Sequence, residues 1–314
     1  MDRLPPYDLV DLRLLLALAE HRHFARAAEA CGLSQPALSA RLRRLETAID
    51  TLLIRRGKRF EGFTPDGERA LGWARRILAD CGGLVQDVKS EEQGPRGALR
   101  LGVIPSATPY AGRLCGALAD AYPNLKPQAF SLSSKAIKSG LADFSLDAGL
   151  TYLESGHLDI SRDKAPGTTD IELFRELYCL VARPDVVGGL SAGKTLSWSA
   201  AARLPLGLLT SDMQNRRIID EAFTRAGVMP EPRFESNSYI AILALVRTRN
   251  FATVLPRIQV EAGLTGELHV WDLAEPEIST GVGLVVPTRD PILPVTAALL
   301  DLVKNHRERI DNPS

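Results

Sequence analysis

The apolar residues of this 314-residue chain first change their period at Glu91-Glu92-Gln93-Gly94-Pro95-Arg96-Gly97. Before that stretch they recur every three or four residues. After it, Leu99, Leu101 and Val103 alternate. One element cannot carry both a helical and a strand period, so the chain divides into a helical first third and an α/β remainder. The dividing stretch is charged, then rich in glycine and proline, and reads as a hinge or linker. The length allows two or three domains, each large enough for its own core.

Residues 1–62 read as three short helices followed by a basic loop. Leu12, Leu15, Leu16 and Ala19 mark the first helix, and Phe24, Ala27, Ala28 and Cys31 the second. Gly32 supplies a stop, Ser34 an N-cap, and Pro36 sits in the first turn, where its missing N–H costs nothing. The third helix carries one apolar stripe, Leu38, Leu42, Leu45 and Ile49. None of the three is long enough to stand alone in water, so they must pack on one another. From Thr64-Pro65-Asp66-Gly67-Glu68 a long helix begins. Its positions Ala74, Ile77, Cys81, Leu84 and Val88 form a heptad-like seam, expected to pair with a second copy of the chain.

Beyond the hinge the elements alternate. Strands are expected at 99–103, 125–132 and 147–150, with helices over 110–121 and 134–141. A second run follows: a strand at 206–209, a helix over 217–226, a strand near Phe234, a helix over 239–246 and a strand ending at Pro256. The β-α-β order predicts mostly parallel sheets with helices on their faces, in two lobes flanking a cleft.

Charge is segregated along the chain. Lys plus Arg equals Asp plus Glu, 38 each. Yet residues 34–60 carry a net +5, from Arg41, Arg43, Arg44, Arg55, Arg56, Lys58 and Arg59 against Glu46 and Asp50, and residues 61–93 a net −3. Zero overall charge therefore excludes a uniformly basic nucleic-acid coat and leaves room for a local one. A helix with Ser34, Gln35 and Ser39 near its start and arginines further along suits a DNA major groove, with Gln and Ser reaching base edges and Arg meeting phosphates.

These residues carry a resemblance. Phe24-Ala25-Arg26-Ala27-Ala28-Glu29, then Leu33-Ser34-Gln35-Pro36-Ala37-Leu38-Ser39 and Leu42-Arg43-Arg44-Leu45-Glu46, resemble the winged helix-turn-helix of LysR-type transcriptional regulators. Leu53, Arg56, Phe63, Thr64 and Gly67 continue the match. Leu173, Glu176, Leu180 and Val181, with Leu204-Pro205-Leu206, Gly227, Pro230, Glu235-Ser236 and Leu255-Pro256, extend it loosely over the rest. Gly102 to Pro109 and Leu146 to Leu153 are similar to a branch found beside formate dehydrogenase genes. The chain departs from the pattern at Ala40, where the family often has Arg, and at Ile49-Asp50, in place of Leu-Gly. It departs again at Ile54, in place of Phe, and at Arg249 and Phe251, in place of glycines.

The resemblance implies a winged helix-turn-helix over 1–63, a linker and dimerisation helix over 64–93, and a two-lobed, periplasmic-binding-protein-like effector region over 94–314. Lobe I would hold about 97–165 plus 270–314, and lobe II about 166–269. It implies a DNA-binding regulator that answers a small anionic effector, in the cytoplasm, as a homotetramer paired through the linker helix. Ser34, Gln35, Pro36, Ser39 and Arg41 would face bases or position the helix. Arg43, Arg55, Arg56, Lys58 and Arg59 would meet phosphate or the minor groove.

An effector would sit at the carboxyl ends of the strands, against helix N-termini, whose free N–H groups favour anions. The expected strand ends supply Ser106, Thr108, Ser133, Ser134 and Tyr152 from the first lobe. The second supplies Thr210, Ser211, Asn237 and Ser238, with Arg249 as a counter-charge.

Competing classes are weaker. Gly188-Gly189-Leu190-Ser191-Ala192-Gly193-Lys194-Thr195 matches the phosphate-loop pattern and raises the alternative of an α/β solute-binding or nucleotide-binding enzyme. Such a loop needs a long helix after it, and Leu204-Pro205 cuts that helix short. Two SxxK matches, at 161–164 and 191–194, lack an accompanying base. Trp198 and Trp271 read as packing residues. The scattered cysteines Cys31, Cys81, Cys115 and Cys179 and the five histidines show no metal spacing, and no cofactor motif is present. No apolar run near the start approaches the ~20 residues of a membrane span, and none reads as a secretory signal.

Overall fold

The computed structural model describes residues 6–57, 60–153, 167–188 and 194–305. The helical part comprises α1 (Leu9–His21), α2 (Phe24–Ala30) and α3 (Gln35–Ala48), followed by a two-stranded wing of β1 (Ile54–Arg56) and β2 (Phe60–Phe63). Their shared core holds Leu14, Leu15, Leu18, Ala27, Leu38, Leu42, Leu45 and Leu53. The buried Glu46 carboxylate accepts the backbone N–H groups of Leu53 (3.0 Å) and Ile54 (3.1 Å), so α3 sets where the wing begins.

The long helix α4 (Pro65–Gln93) divides its apolar positions between two tasks. Leu71 and Ala74 are buried in the helical core, and Ile77 packs against it. Further along, Leu84, Val85 and Val88 are exposed at 66%, 54% and 72%. The expected seam is thus continuous in sequence and split in space. Gly67 seats the start of α4: a Cβ there would come 2.1 Å from the Leu53 carbonyl oxygen.

After the turn at 94–96 the chain enters a sheet of order β4-β3-β5-β12-β6-β11-β7. Here β3 is Gly97–Val103, β4 Leu125–Ser131, β5 Ala148–Tyr152, β6 Thr168–Ala182, β7 Thr195–Ser197, β11 His269–Ala274 and β12 Ser279–Pro287. β4, β3 and β5 run parallel, as their helical crossovers α5 (Thr108–Ala121) and α6 (Ser134–Ala142) require. The 15-residue β6 is the bridge: its first part pairs with β12 in one lobe, its last part with β11 and with β10 (Ala252–Pro256) in the other. β11 therefore stands with the second lobe, and the return crossing falls at 275–278 rather than at 270. The second lobe adds the parallel pair β8 (Gly207–Leu209) and β9 (Phe234–Ser236) with α9 (Gln214–Arg225), α10 (Tyr239–Thr248) and α11 (Arg257–Glu261). α12 (Pro294–Asn305) closes the first. This is a helix-turn-helix with a wing, a long linker helix and two α/β lobes joined by one crossing strand, β6, and by the return segment 275–278.

The phosphate-loop motif finds no matching framework. Residues 189–193 lie outside the described residues, but Gly188 ends the one-turn helix α7 (Pro184–Val187), and Lys194 leads into β7 and then a second single turn, α8 (Trp198–Ala201). No long helix follows the lysine, so its N–H groups and dipole are missing where phosphates would need them. Among the described residues no helix is long and apolar enough to cross a membrane.

Asp50 occupies the position where the resembled pattern has glycine, and its φ is +50°, in the left-handed region. Asp tolerates that region better than most residues, but glycine adopts it without strain. Asp50→Gly is therefore expected to raise the stability of the helical domain by about 0.5–1 kcal/mol, read as a higher midpoint in denaturant unfolding of the full chain.

Candidate functional site

Two features stand out: the exposed side of α3 with its wing, and the cleft between the lobes. Ser34 caps α3, its Oγ accepting the Ala37 N–H at 3.4 Å. Ser34, Gln35, Pro36 and Arg43 are exposed on the helix and Arg55 on the wing, while Ser39 is half-buried. The side chain of Arg56 and both Lys58 and Arg59 lie outside the described residues.

Arg41 has another occupation. Its Nε donates to Asp11 Oδ1 at 2.7 Å and its Nη2 to both Asp8 oxygens at 2.7 Å. Arg44 Nη2 donates to Asp11 Oδ2 at 2.8 Å. Asp8 and Asp11 also form a reciprocal capping box at the start of α1. The base-facing half of the expectation for Arg41 is thereby corrected: a guanidinium held by two carboxylates fixes α3 against α1. The Asp11 N–H and the Arg41 guanidinium hold the Asp8 carboxyl below the usual range. For Asp11, burial opposes the charge, but hydrogen bonds from Arg44, the Asp8 backbone and Arg41 outweigh it, and its pKa is lowered as well.

The cleft is narrow, with a cavity volume of about 10 Å³, and is lined by Ile104, Pro105, Ser106, Ser133, Ser134, Tyr152, Leu209, Met213, Gln214 and Asn215. Ser106 sits in a single 3-10 turn after β3, Tyr152 ends β5, Ser133 and Ser134 open α6, and Asn215 lies in the first turn of α9. Beneath them, Glu176 of β6 is fully enclosed. Its Oε1 accepts from Tyr178 (2.7 Å), Tyr152 (2.9 Å) and Asn215 Nδ2 (3.2 Å). Since the Tyr152 hydroxyl gives its proton to Glu176, it accepts from Asn215 (3.1 Å), and Ser106 Oγ (3.2 Å) is its second donor. The cluster thus ties a loop of the first lobe, the crossing strand and a helix of the second. Burial pushes the Glu176 carboxyl up, partly offset by these donors, and pushes Tyr152 and Tyr178 well up.

Several groups around the cleft lack partners. Ser134 Oγ, Glu176 Oε2 and Asn215 Oδ1 are buried without a hydrogen bond. The first turn of α9 has no side-chain cap, because Met213 stands at its N-cap, and Arg216 anchors that turn through Nη1 to the Leu209 carbonyl (2.8 Å). Gln259 of α11 holds the Ser106 turn from the second lobe, donating to the carbonyls of Pro105 (3.1 Å) and Ser106 (2.8 Å).

Of the residues expected to hold an effector, Ser106, Ser133, Ser134 and Tyr152 come together here. Thr108, Thr210, Ser211, Asn237 and Ser238 do not line the cleft: Thr108 bonds back to the Pro105 carbonyl, Ser238 caps α10 through the Ala241 N–H, and Ser211 and Asn237 are exposed. Arg249 is corrected outright. It caps the C-terminal end of α10, with the ten residues of the helix between it and the Ser238 cap, and is exposed.

Two family models account for both features. "Bacterial regulatory helix-turn-helix protein, lysR family" matches residues 9–68, and "LysR substrate binding domain" matches residues 92–308. The chain belongs to the LysR family of bacterial transcriptional regulators. A relative from Streptomyces viridosporus, described as a probable hydrogen peroxide-inducible genes activator, is 31% identical over 284 residues, covering 89% of this chain and 88% of its own length. A hydrogen peroxide-inducible genes activator of Haemophilus influenzae is 25% identical, covering 94% and 97%. In fold, a full-length OxyR variant from Pseudomonas aeruginosa superposes with a TM-score of 0.73 at 22% identity, covering 95% of this chain and 98% of that one. Full-length CbnR in complex with its target DNA gives 0.68 at 19%, covering 95% and 99%. This LysR-family chain is therefore a DNA-binding regulator of transcription rather than a nucleotide-handling enzyme.

Glu176, Tyr178, Asn215 and Gln259 were not among the expected site residues. Glu176 carried a signal, being a lone acid in the apolar run Leu173 to Val181. Asn215 was hidden because the helix was expected to begin at Arg217, and it begins at Gln214.

The carboxylate clamp has a pH signature. A lowered folded pKa contributes stability that is present above the unfolded value of 3.8 and is lost as pH falls through the folded one. Asp11→Asn is expected to destabilise the helical domain by about 2 kcal/mol at neutral pH, less than a fully buried pair because Arg44 is half-exposed. The difference from wild type should shrink in unfolding measurements as pH drops below 3.8.

Proposed function

We propose that this LysR-family regulator reads DNA with the exposed side of α3 and its wing, and holds a small monoanion in the interlobe cleft. Residues 1–63 form the DNA reader, 64–93 the pairing helix and 94–314 the effector region. Two chains pair through the exposed Leu84, Val85 and Val88 of α4, and two pairs make a tetramer, acting in the cytoplasm on chromosomal DNA. Gln35, Ser34 and Ser39 face bases, with Pro36 shaping the first turn. Arg43, Arg55, Arg56, Lys58 and Arg59 face phosphate or the minor groove.

The observation that carries the effector reading is the hydrogen-bonded cluster drawn from both lobes, Ser106, Tyr152, Glu176 and Asn215, under a cleft with one unfilled donor, Ser134 Oγ, and two unfilled acceptors, Glu176 Oε2 and Asn215 Oδ1. Ser134 Oγ and the uncapped first turn of α9 offer donors from opposite walls, which suits an anion. The cleft has room for about 10 Å³, near that of one water molecule, so a ligand of a few heavy atoms enters only as the lobes part slightly. Glu176 below it disfavours a second negative charge.

The relatives are named for hydrogen peroxide-inducible genes, but a peroxide response through a cysteine has less support in this chain. None of the four cysteines lines the cleft, burial pushes Cys179 up to about 12 and Cys115 up as well, and neither is a ready thiolate.

Titration calorimetry with formate and acetate tests the site. At least one should bind wild type, and the double variant Ser134→Ala/Asn215→Leu should lose tenfold or more in affinity, about 1.4 kcal/mol. No heat with either acid, or equal binding by the variant, would remove the anion. The DNA surface is tested by gel shift on the region upstream of the protein's own gene. Gln35→Ala should relax preference at one base pair by about 1–3 kcal/mol, while Arg55→Ala should weaken all sequences alike and reduce the salt slope by about one.

A further inference from the structure

One short helix has its two ends in two different places that matter. The N-terminal end of α6 carries Ser133 and Ser134 into the cleft. At its other end, about 14 Å away for nine residues, stand Asp143 and Phe144, and both are held by the linker helix. Asp143 Oδ2 accepts from Arg75 Nη1 of α4 at 2.7 Å. The Phe144 ring lies under the Arg289 guanidinium (4.1 Å to the centroid) and beside that of Arg76 (5.2 Å), which also reaches the Trp73 ring (5.7 Å). Asp80 of α4 closes the group, 3.5 Å from Arg289 and 3.9 Å from Arg76. Farther along α4, Gly83 lies so near Leu293 that a Cβ would come within 2.5 Å. The segment 91–97, which reads as a free hinge in the sequence, is thus bridged from both sides by a built contact.

This contact is specific. Arg289 is only 9% exposed and is held by the Phe144 ring and, at 3.5 Å, by the Asp80 carboxylate, while its Nη2 is buried without a hydrogen bond. Phe144 has φ +60°, a conformation that a bulky residue adopts at a cost unless its surroundings fix it. Its carbonyl accepts from Arg100 Nη2 at 3.2 Å, and Asp143 Oδ1 accepts the Ser145 N–H at 3.0 Å. Between its two ends α6 rests on glycines. Gly102 of β3 and Gly149 of β5 stand side by side in register, and a Cβ on Gly149 would come within 2.5 Å of Ile137. A side-chain-free floor lets α6 lie close to the sheet, with Ile137 and Leu141 buried against it.

We propose that α6 is the relay by which a ligand in the cleft acts on the DNA-binding half: a pull on Ser133 and Ser134 is delivered to α4 through Asp143 and Phe144. The relay rests on the reading of the cleft as the effector site. Linkage makes it reciprocal, so a change at the Arg75–Asp143 contact must alter the cleft end of α6, and ligand must alter α4.

Amide hydrogen exchange on the full-length protein, with and without saturating formate, separates the two readings. In wild type, formate should slow exchange at 133–137 and change exchange in α4 around 73–83 by about fivefold or more. Arg75→Asp and, separately, Phe144→Gly should abolish the α4 response while keeping protection of 133–137. The charge-swapped pair Arg75→Asp/Asp143→Arg should restore it. An α4 response that survives both single variants, or cleft protection in wild type with α4 unmoved, overturns the relay and leaves the cleft reading standing. If formate protects nothing at 133–137, the anion reading fails instead, and the relay is judged without ligand. Exchange at 133–137 that differs about fivefold between Arg75→Asp and wild type supports it, and unchanged exchange overturns it.

Discussion

A single enclosed carboxylate organises the effector half of this regulator. Glu176 lies on the strand that crosses between the lobes, and taking its charge out of water is costly unless donors surround it. Those donors come from the first lobe (Tyr152), from the crossing strand itself (Tyr178) and from the second lobe (Asn215). Any rotation of one lobe against the other must therefore either carry this cluster along or break it. The cleft above inherits its shape from the cluster, since Tyr152, Ser106 and Asn215 are both its walls and the partners of the carboxylate. A ligand that bridges Ser134 on one wall and the open turn of α9 on the other adds to a bond set that already spans the hinge. It can bias the lobe arrangement only by fitting one arrangement better than the other.

The N-terminal half rests on the same chemistry with the opposite exposure. Asp8 and Asp11 draw Arg41 and Arg44 back onto α1, so part of the charge that makes 34–60 look basic is consumed inside the domain. What remains for DNA is narrower than the net +5 suggests: Arg43 and Arg55, with Lys58, Arg59 and the side chain of Arg56 beyond the described residues. Polar side chains then sit at the start of α3 and free cations at its middle and on the wing, a division that suits base contact and phosphate contact respectively.

Much of this was legible in the sequence, for reasons that can be named. Helix starts and stops at Gly32, Ser34 and Pro36 are local chemistry, and they mark the helix-turn-helix well. The alternation beyond residue 97 is also local, and the strands of the first lobe fall close to their expected places. What could not be read was which ends of those elements meet. Ser133 and Thr210 look alike as polar residues after a strand, but only the first lines the cleft, because α9 begins three residues before its expected start and puts Gln214 and Asn215 where Thr210 would have been. Arg249 failed because its place depends on the direction of α10, a tertiary fact. The linker seam was read as one stripe, and packing divides it at Ile77: helix period shows which residues share a face, not which neighbour covers each part of it.

The claim on which the account turns is that occupancy of the cleft changes how the paired DNA readers sit on their site. Footprinting of the full-length protein on its own upstream DNA, at fixed protein and with formate or acetate varied, measures that directly. The acid that binds should alter the protected length or the pattern of hypersensitive bonds between half-sites, with the contacts inside each half-site kept. A footprint identical at zero and saturating concentrations of an acid shown to occupy the cleft would contradict it.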